Sequence, residues 1–134
     1  MDILAYEYLK QGLTEYNEFS GNPRGNVIVP FATKDTTYPH TVFSEIRNVG
    51  TSRNSDFERV ASVGYAVRIY AKTKGKVDKQ TIAREIAQMV DNYMRHFNLS
   101  RISYNANESI NDNSIYEIIM TYSGNLHENR RNFI

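Results

Sequence analysis

A strand, a tight turn and an amphipathic helix follow one another in residues 59–98, and this stretch constrains the fold most. In the strand predicted over 60–72, apolar residues recur at every second position, which places them on one face. The helix predicted over 79–97 has an apolar stripe at helical spacing: Ile82, Ala83, Ile86, Met89, Val90, Tyr93, Met94 and Phe97. A single helix of this length is marginal in water, so the stripe predicts a sheet beneath it.

The two faces of the predicted strand differ in chemistry. The face predicted to enter the core carries Val63, Tyr65, Val67, Ile69 and Ala71, and the other carries Gly64, Ala66, Arg68, Tyr70 and Lys72. The strand is longer than usual for a globular protein. It therefore either bends or bulges near Gly64, or continues past the sheet to pair elsewhere.

The remaining pattern supplies a first helix and three more strands. The helix is predicted over 2–19 with Asp2 as N-cap, and the strands over 41–48, 99–105 and 114–124. The last of these is apolar almost throughout, which predicts that both of its faces are covered. The order is typical of an α+β two-layer sandwich with a four-stranded, mainly antiparallel sheet and two helices on one face.

We expect one domain over 1–134, with a long loop at 21–40 and a polar C-terminal tail at 125–134. Within the loop, the apolar run 27–31 is either a brief strand or a segment resting on the core. The loop as a whole is either a plain surface connection or an arm that contacts a neighbouring subunit. Residues 49–56 are predicted to form an exposed, flexible hairpin connection.

Composition limits the function. The net charge of +1 argues against a sequence-specific nucleic-acid partner, which usually requires a basic excess. The absence of cysteine excludes disulfides and thiolate chemistry. No apolar run approaches the length of a membrane span, so we expect a soluble protein with no membrane partner. The 10 tyrosines suit protein interfaces, although an AT-rich coding sequence would enrich tyrosine too.

No catalytic signature is present. His40, His96 and His127 lack the spacing of a metal site, and no phosphate-binding glycine loop occurs. Glu45 and Glu117 would lie within strands, where they either approach one another across the sheet or face solvent. The basic cluster Lys72, Lys74, Lys76 and Lys79 either touches phosphate or is a solvated turn. We therefore expect no enzyme activity, no catalytic residue, no metal and no cofactor.

Four segments together resemble small phage tail-terminator and tail-completion proteins. They are 38–45, which resembles the entry into the first strand of that family, and 64–71, which is similar to its long second strand. They also include 82–97, similar to the following helix, and 116–124, similar to the last strand. The resemblance rests on element order and pattern over most of the chain from Tyr38 onward, and 21–37 departs from it.

The resemblance implies a structural virion protein of the tail or neck, assembled in the host cytoplasm. Proteins of this family form a homo-oligomeric ring, commonly a hexamer, that caps the tail tube and joins it to the head connector. The implied partners are copies of this chain, the tail tube protein and the head-tail connector or stopper. Loops 21–40 and 49–58 are candidates for one side of a ring contact.

Seven residues are predicted to contribute to subunit interfaces: Tyr38, Arg53, Arg68, Tyr70, Lys72, Arg130 and Phe133. Among them, Arg68 and Tyr70 are expected to contact a neighbouring subunit while Val67 and Ile69 fill the core. Two alternatives remain open. The chain is another neck or minor capsid component, such as a stopper, or it is a monomeric protein-binding module.

Overall fold

The computed structural model describes residues 4–33, 35–53, 59–109, 112–127 and 132–133. Two helices, four long strands and two short strands make up the described part of the chain. In chain order they are α1 (Leu4–Phe19), β1 (Val27–Val29), β2 (His40–Arg53), β3 (Arg59–Lys72), α2 (Lys79–Arg95), β4 (Ser100–Glu108), β5 (Ile115–His127) and β6 (Asn132–Phe133).

The strands form one mixed sheet in the order β1-β2-β3-β5-β4, and β6 pairs with β5. The four long strands pair antiparallel, whereas β1 runs parallel to β2. The predicted α+β class with two helices is confirmed. The predicted four-stranded sheet is too small, because the apolar run at 27–31 forms the edge strand β1 and Asn132–Phe133 adds a short pair.

Both helices pack against the same face of the sheet. From α1, the hydroxyl of Tyr6 donates a hydrogen bond of 2.7 Å to the carbonyl oxygen of Phe43 in β2. From α2, Asp91 accepts one of 2.9 Å from Tyr122 in β5. The alternation predicted for β3 is confirmed: Val63, Tyr65, Val67, Ile69 and Ala71 are all fully buried. Burial of such apolar side chains is the main stabilising contribution to this layer.

The apolar stripe predicted for α2 faces the core. Asp78 is the N-cap and its carboxylate accepts a hydrogen bond from the backbone N–H of Gln80 at 3.2 Å. Residues Ile82, Ile86, Val90 and Met94 are fully buried. The helix ends at Arg95, so Phe97 lies just beyond it and packs half-buried against the core.

Gly12 sits inside α1 because another side chain needs its space. A Cβ atom at this position would lie 2.2 Å from the hydroxyl oxygen of Tyr93. That hydroxyl donates a hydrogen bond of 3.0 Å to the carbonyl oxygen of Leu9. The close crossing of the two helices therefore explains a glycine that helix propensity alone disfavours.

The region predicted as the loop 21–40 is more ordered than expected. It contains a short 3-10 turn at Pro23–Gly25 as well as β1. Two buried amides tie it to α1: Asn17 donates to the carbonyl of Asn26 at 2.9 Å, and Asn26 donates to the side-chain oxygen of Asn17 at 2.9 Å. Thr41 of β2 also donates to the side chain of Asn26, at 3.0 Å.

Three further predictions need correction. Residues 49–53, predicted as a flexible connection, continue β2 to Arg53. The predicted polar tail at 125–134 begins inside β5, which runs to His127, and includes the short strand β6. The irregularity expected near Gly64 lies in the partner strand, since the register of β2 shifts between Glu45 and Arg47 while β5 pairs with β3 without a shift. The predicted N-cap Asp2 lies outside the described residues.

Candidate subunit interface

The face of the sheet opposite the helices, called here the open face, carries no helix in the described part of the chain. The strand registers place Val42, Arg68, Tyr70, Glu117 and Ile119 on this face. Ile119 is only half-buried there, although β5 is apolar enough for a fully covered strand. The described residues therefore cover β5 on the helix side only, and the second covering predicted for this strand is missing on the open face.

A ring stack, called here the aromatic cluster, crosses the open face at one end of the sheet. Pairing of β2 with β3 sets His40 opposite Tyr70, and their ring centroids are 5.1 Å apart. Tyr38, which precedes β2, also contacts this histidine, with its ring centroid 4.8 Å from that of His40. The ammonium nitrogen of Lys72 lies 4.5 Å from the centroid of the Tyr38 ring, a cation–π contact.

Charged residues flank the cluster at Tyr70. The pKa of the Tyr70 hydroxyl is raised, mainly by burial and further by the hydrogen bond to the Glu117 carboxylate, whereas Arg68 lowers it. Arg68 is exposed and Tyr70 is half-buried. The cluster thus presents an aromatic centre with a guanidinium, an ammonium and a carboxylate around it, which are groups common in protein interfaces.

His40 is the most enclosed polar residue of the aromatic cluster. Its side chain is 2% exposed. Its Nδ1 donates to the carbonyl oxygen of Thr37 at 2.9 Å, which leaves Nε2 as the acceptor nitrogen. Nε2 is buried and has no hydrogen-bond partner within the described residues. Burial lowers the pKa of the imidazole, although the Thr37 carbonyl partly opposes this shift.

Four of the seven predicted interface residues meet in this cluster: Tyr38, Arg68, Tyr70 and Lys72. The others lie elsewhere. The backbone of Arg53 ends β2, at the opposite end of that strand from His40, and the backbone of Phe133 pairs with Leu126 at the far end of β5. Arg130 lies outside the described residues.

Sequence reasoning missed two members of the cluster, His40 and Glu117. It assigned His40 to a loop and treated Glu117 as a possible partner of Glu45. The register contradicts that pairing, because Glu45 lies opposite Tyr65 on the helix-covered face and Glu117 lies opposite Tyr70 on the open face. The two-residue alternation within each strand can be read from the sequence. The register between strands that are distant in sequence cannot, and it decides which side chains meet.

A second polar group missed from the sequence lies on the helix side. Asp91 lies outside the apolar stripe predicted for α2, yet it is only 6% exposed. Its carboxylate accepts a hydrogen bond from Tyr122 at 2.9 Å and pairs with Arg95 at 2.9 Å and Arg101 at 3.6 Å. Burial and the adjacent Asp91 raise the pKa of the Tyr122 hydroxyl.

The basic cluster predicted around the turn is partly engaged in structural contacts. Lys74 donates to the carbonyl of Arg24 at 2.8 Å, and Lys79 pairs with Glu108 at 3.2 Å. Lys72 lies over Tyr38, so three of the four lysines already contact another residue of the domain. Within the described ranges, no three His, Asp or Glu side chains lie close enough together to hold a metal ion.

Neither α1 nor α2 combines the length and apolar character that a membrane-crossing helix requires, as far as the described residues extend. The chain matches no protein-family model and no curated protein. The surfaces described above are therefore the basis for a functional proposal.

Proposed function

We propose that this chain is a structural virion protein that forms a homo-oligomeric ring at the end of a phage tail tube and joins the tube to the head connector. The observation that carries the proposal is the aromatic cluster on the open face. Four residues selected as interface candidates from the sequence, Tyr38, Arg68, Tyr70 and Lys72, form one continuous surface there. A face with half-buried apolar residues and an aromatic centre fits a protein contact.

The arrangement of the strands also supports an assembly role. The hairpin of β2 and β3 continues to the pair Arg53 and Arg59, beyond the point where the side chain of Leu99 packs close to Gly124 in β5. Long strands that extend beyond the helical layer offer backbone and side-chain contacts to a neighbour. The order strand, strand, helix, strand in β2, β3, α2 and β5 is the one on which the resemblance to tail terminators rests.

Electron microscopy and light scattering of the purified protein test this proposal. We expect closed rings of one defined mass, six-fold if the resemblance holds in full, and we expect those rings to bind the ends of tubes assembled from the tail tube protein encoded with it. The proposal predicts that addition of the protein during tube assembly stops elongation. A protein that stays monomeric at high concentration and does not bind tube ends would contradict it.

One observation favours the alternative of a monomeric protein-binding module. A groove of about 420 Å³ lies between α1 and the end of α2, lined by Tyr8, Gln11, Gly12, Glu15, Tyr16, Phe19, Tyr93 and Phe97. Its aromatic lining would suit a short apolar segment of another protein. The mass measurement separates the two proposals, since a binding module remains monomeric until its partner is added. Rings that bind the connector but not the tube would instead indicate a stopper.

A further inference from the structure

We propose that copies of this chain associate head-to-tail through two oppositely charged patches, one on α1 and one where α2 meets β4. This inference rests on the proposed ring and adds a charge-paired contact to the one proposed for the aromatic cluster. A ring with rotational symmetry needs a heterologous contact, in which two different patches of each subunit are complementary. The two patches below have this property.

The first patch, called here the acidic stripe, is the solvent side of α1. It consists of Glu7, Gln11, Glu15 and Glu18, all exposed. Steps of four, four and three residues place these side chains on one side of the helix. The buried residues Leu9 and Leu13 occupy the opposite side of the helix, so the stripe points away from the sheet.

Exposed aromatic rings border the acidic stripe. Phe19 is 88% exposed and Tyr8 is 60% exposed. Together with Gln11 and Glu15 they line the groove between the helices. The negative charge of Glu15 also contributes to the raised pKa of the Tyr93 hydroxyl in that groove, after burial and Tyr8. The patch therefore joins carboxylates to uncovered apolar area.

The second patch, called here the basic corner, is formed by α2 and β4. The corner contains Arg84 and Arg95 of α2 and Arg101 of β4. Arg95 and Arg101 pair with the carboxylate of Asp91, and Arg84 lines the same pocket as Asp91 and Arg101. All three arginines are exposed, so an excess of positive charge faces solvent. The guanidinium of Arg101 lies 5.2 Å from the ring centroid of Tyr104, and Ile102 is 62% exposed beside it.

The two patches match in length as well as in charge. The basic corner follows Arg84, Gln88, Asp91 and Arg95, with steps of four, three and four residues. The acidic stripe from Glu7 to Glu18 likewise spans eleven residue steps, and each run is therefore about 16 Å long at 1.5 Å per residue. Each run is polar with a glutamine near its middle, and exposed apolar residues lie beside both.

The sheet order puts the patches on opposite sides of the domain. α1 packs near β1 and β2, where Tyr6 bonds to Phe43, and β1 is one edge of the sheet. The basic corner includes β4, which is the other edge. A patch on one edge and its complement on the other favour a chain of copies that continues from subunit to subunit and closes into a ring.

Two charge-reversal variants test the contact. Glu15→Lys with Glu18→Lys makes the acidic stripe positive, and Arg84→Glu with Gln88→Glu makes the basic corner negative. All four positions are exposed, and neither variant replaces the arginines that pair with Asp91. We expect each variant to lose the oligomer and to elute as a folded monomer, because two like-charged patches then meet.

An equal mixture of the two variants should restore the oligomer. The positive stripe of the first variant meets the negative corner of the second, and the negative stripe of the second meets the positive corner of the first. Such a ring alternates the two variants and closes only with an even number of subunits. The control Lys76→Glu changes an exposed charge in the turn between β3 and α2 and should keep the wild-type mass.

Light scattering after gel filtration at low salt gives the mass of each sample, and circular dichroism confirms that each variant is folded. Wild-type rings that persist in both reversal variants would overturn the charge-paired contact and leave the proposed ring intact. Loss of rings in the variants without recovery in the mixture would also overturn it. A wild-type protein that is monomeric would overturn the ring and the contact together.

Discussion

The two faces of the sheet are built differently, although the same strands supply both. On the helix-covered face, Val67, Ile69, Ile118 and Met120 are fully buried and their contacts are apolar. On the open face, His40, Tyr70 and Glu117 lie side by side on three neighbouring strands. Ring stacking joins His40 to Tyr70, and a hydrogen bond joins Tyr70 to Glu117. One face depends on exclusion of water and the other on directional contacts.

This contrast teaches what each face is suited for. A buried apolar face tolerates little change and contributes mainly to stability. The open face keeps a half-buried ring system and charged groups within reach of solvent, so it can gain a partner without unfolding. The predictions below test this division, from the largest expected effect to the smallest.

Phe43→Ala should produce the largest loss of stability. Phe43 is fully buried on the helix-covered face, and its ring stacks on Tyr6 at 5.3 Å and on Tyr65 at 5.5 Å. Truncation of a buried phenylalanine to alanine costs about 3–5 kcal/mol. Urea denaturation followed by circular dichroism measures the change in the free energy of unfolding.

The neighbouring residue provides a matched control for that variant. Val42 lies in the same strand, is half-buried and faces the open side. Val42→Ala should lower the free energy of unfolding by about 1 kcal/mol or less, since part of the side chain is already in water. Equal losses for the two variants would contradict the division between the faces.

Asp91→Ala should cause the second-largest loss of stability. It leaves the buried hydroxyl of Tyr122 with only the Met120 sulfur, a weak acceptor 3.6 Å away, and removes the carboxylate that Arg95 and Arg101 share. An unsatisfied buried hydroxyl costs about 1–3 kcal/mol, and the exposed arginines add little because solvent screens them. Asn92→Ala, which replaces the exposed next residue, is the control, and thermal melts should give a lower melting temperature for Asp91→Ala. Similar melting temperatures for the two variants would show that the contacts of Asp91 contribute nothing to stability.

Much of the covered face was predictable, and most of the open face was not. The alternation in β3 and the stripe in α2 each depend on residues a few positions apart, so local periodicity identified Val67 and Ile86 as core residues. The aromatic cluster depends on which residue of β2 lies opposite which residue of β3. That register depends on two shifts in β2, between Glu45 and Arg47 and between Gly50 and Ser52, and on packing across the whole sheet, which no local pattern encodes.

The same limit explains the misplaced polar residues. Asp91 follows the polar spacing of α2, and only the neighbouring strand shows that Tyr122 reaches it across the layers. Helix propensity disfavours Gly12 in α1, and only the crossing of Tyr93 over it gives the reason for a glycine there. Candidates Arg68 and Tyr70 were correctly placed on the outer face because two-residue alternation is local, whereas their neighbours His40 and Glu117 required the register.

Replacement of Arg68 and Tyr70 together by alanine should weaken assembly and leave the monomer folded. Arg68 is exposed and Tyr70 is half-buried, so their loss should lower the free energy of unfolding by about 1 kcal/mol. We expect the oligomer to dissociate at a protein concentration at least about tenfold higher than for wild type, a change of about 1.4 kcal/mol in the contact. Light scattering over a dilution series measures it.

A paired substitution outside these surfaces controls for general effects on assembly. Lys76→Ala with Thr81→Ala changes two exposed residues that belong neither to the aromatic cluster nor to either charged patch. This control should dissociate at nearly the wild-type concentration. Loss of folding in the Arg68 and Tyr70 variant would show that the cluster stabilises the monomer instead.

His40 should give the open face a small, pH-dependent contribution to stability. Burial holds the pKa of the folded imidazole below its ordinary value, so between the folded and unfolded pKa values the unfolded chain binds a proton that the folded chain does not. Stability therefore falls as the pH decreases below about 6.5, the unfolded value. The variant His40→Phe keeps a ring between Tyr38 and Tyr70 but cannot be protonated, so its melting temperature should fall less between about pH 7.5 and about pH 5. Lys72, Arg68 and Glu117, the charged groups around the cluster, are present in both proteins, as are the other histidines, so the difference between the two melting curves isolates His40. An identical pH dependence in the two proteins would mean that the buried imidazole is solvated well enough to accept its proton in the folded state.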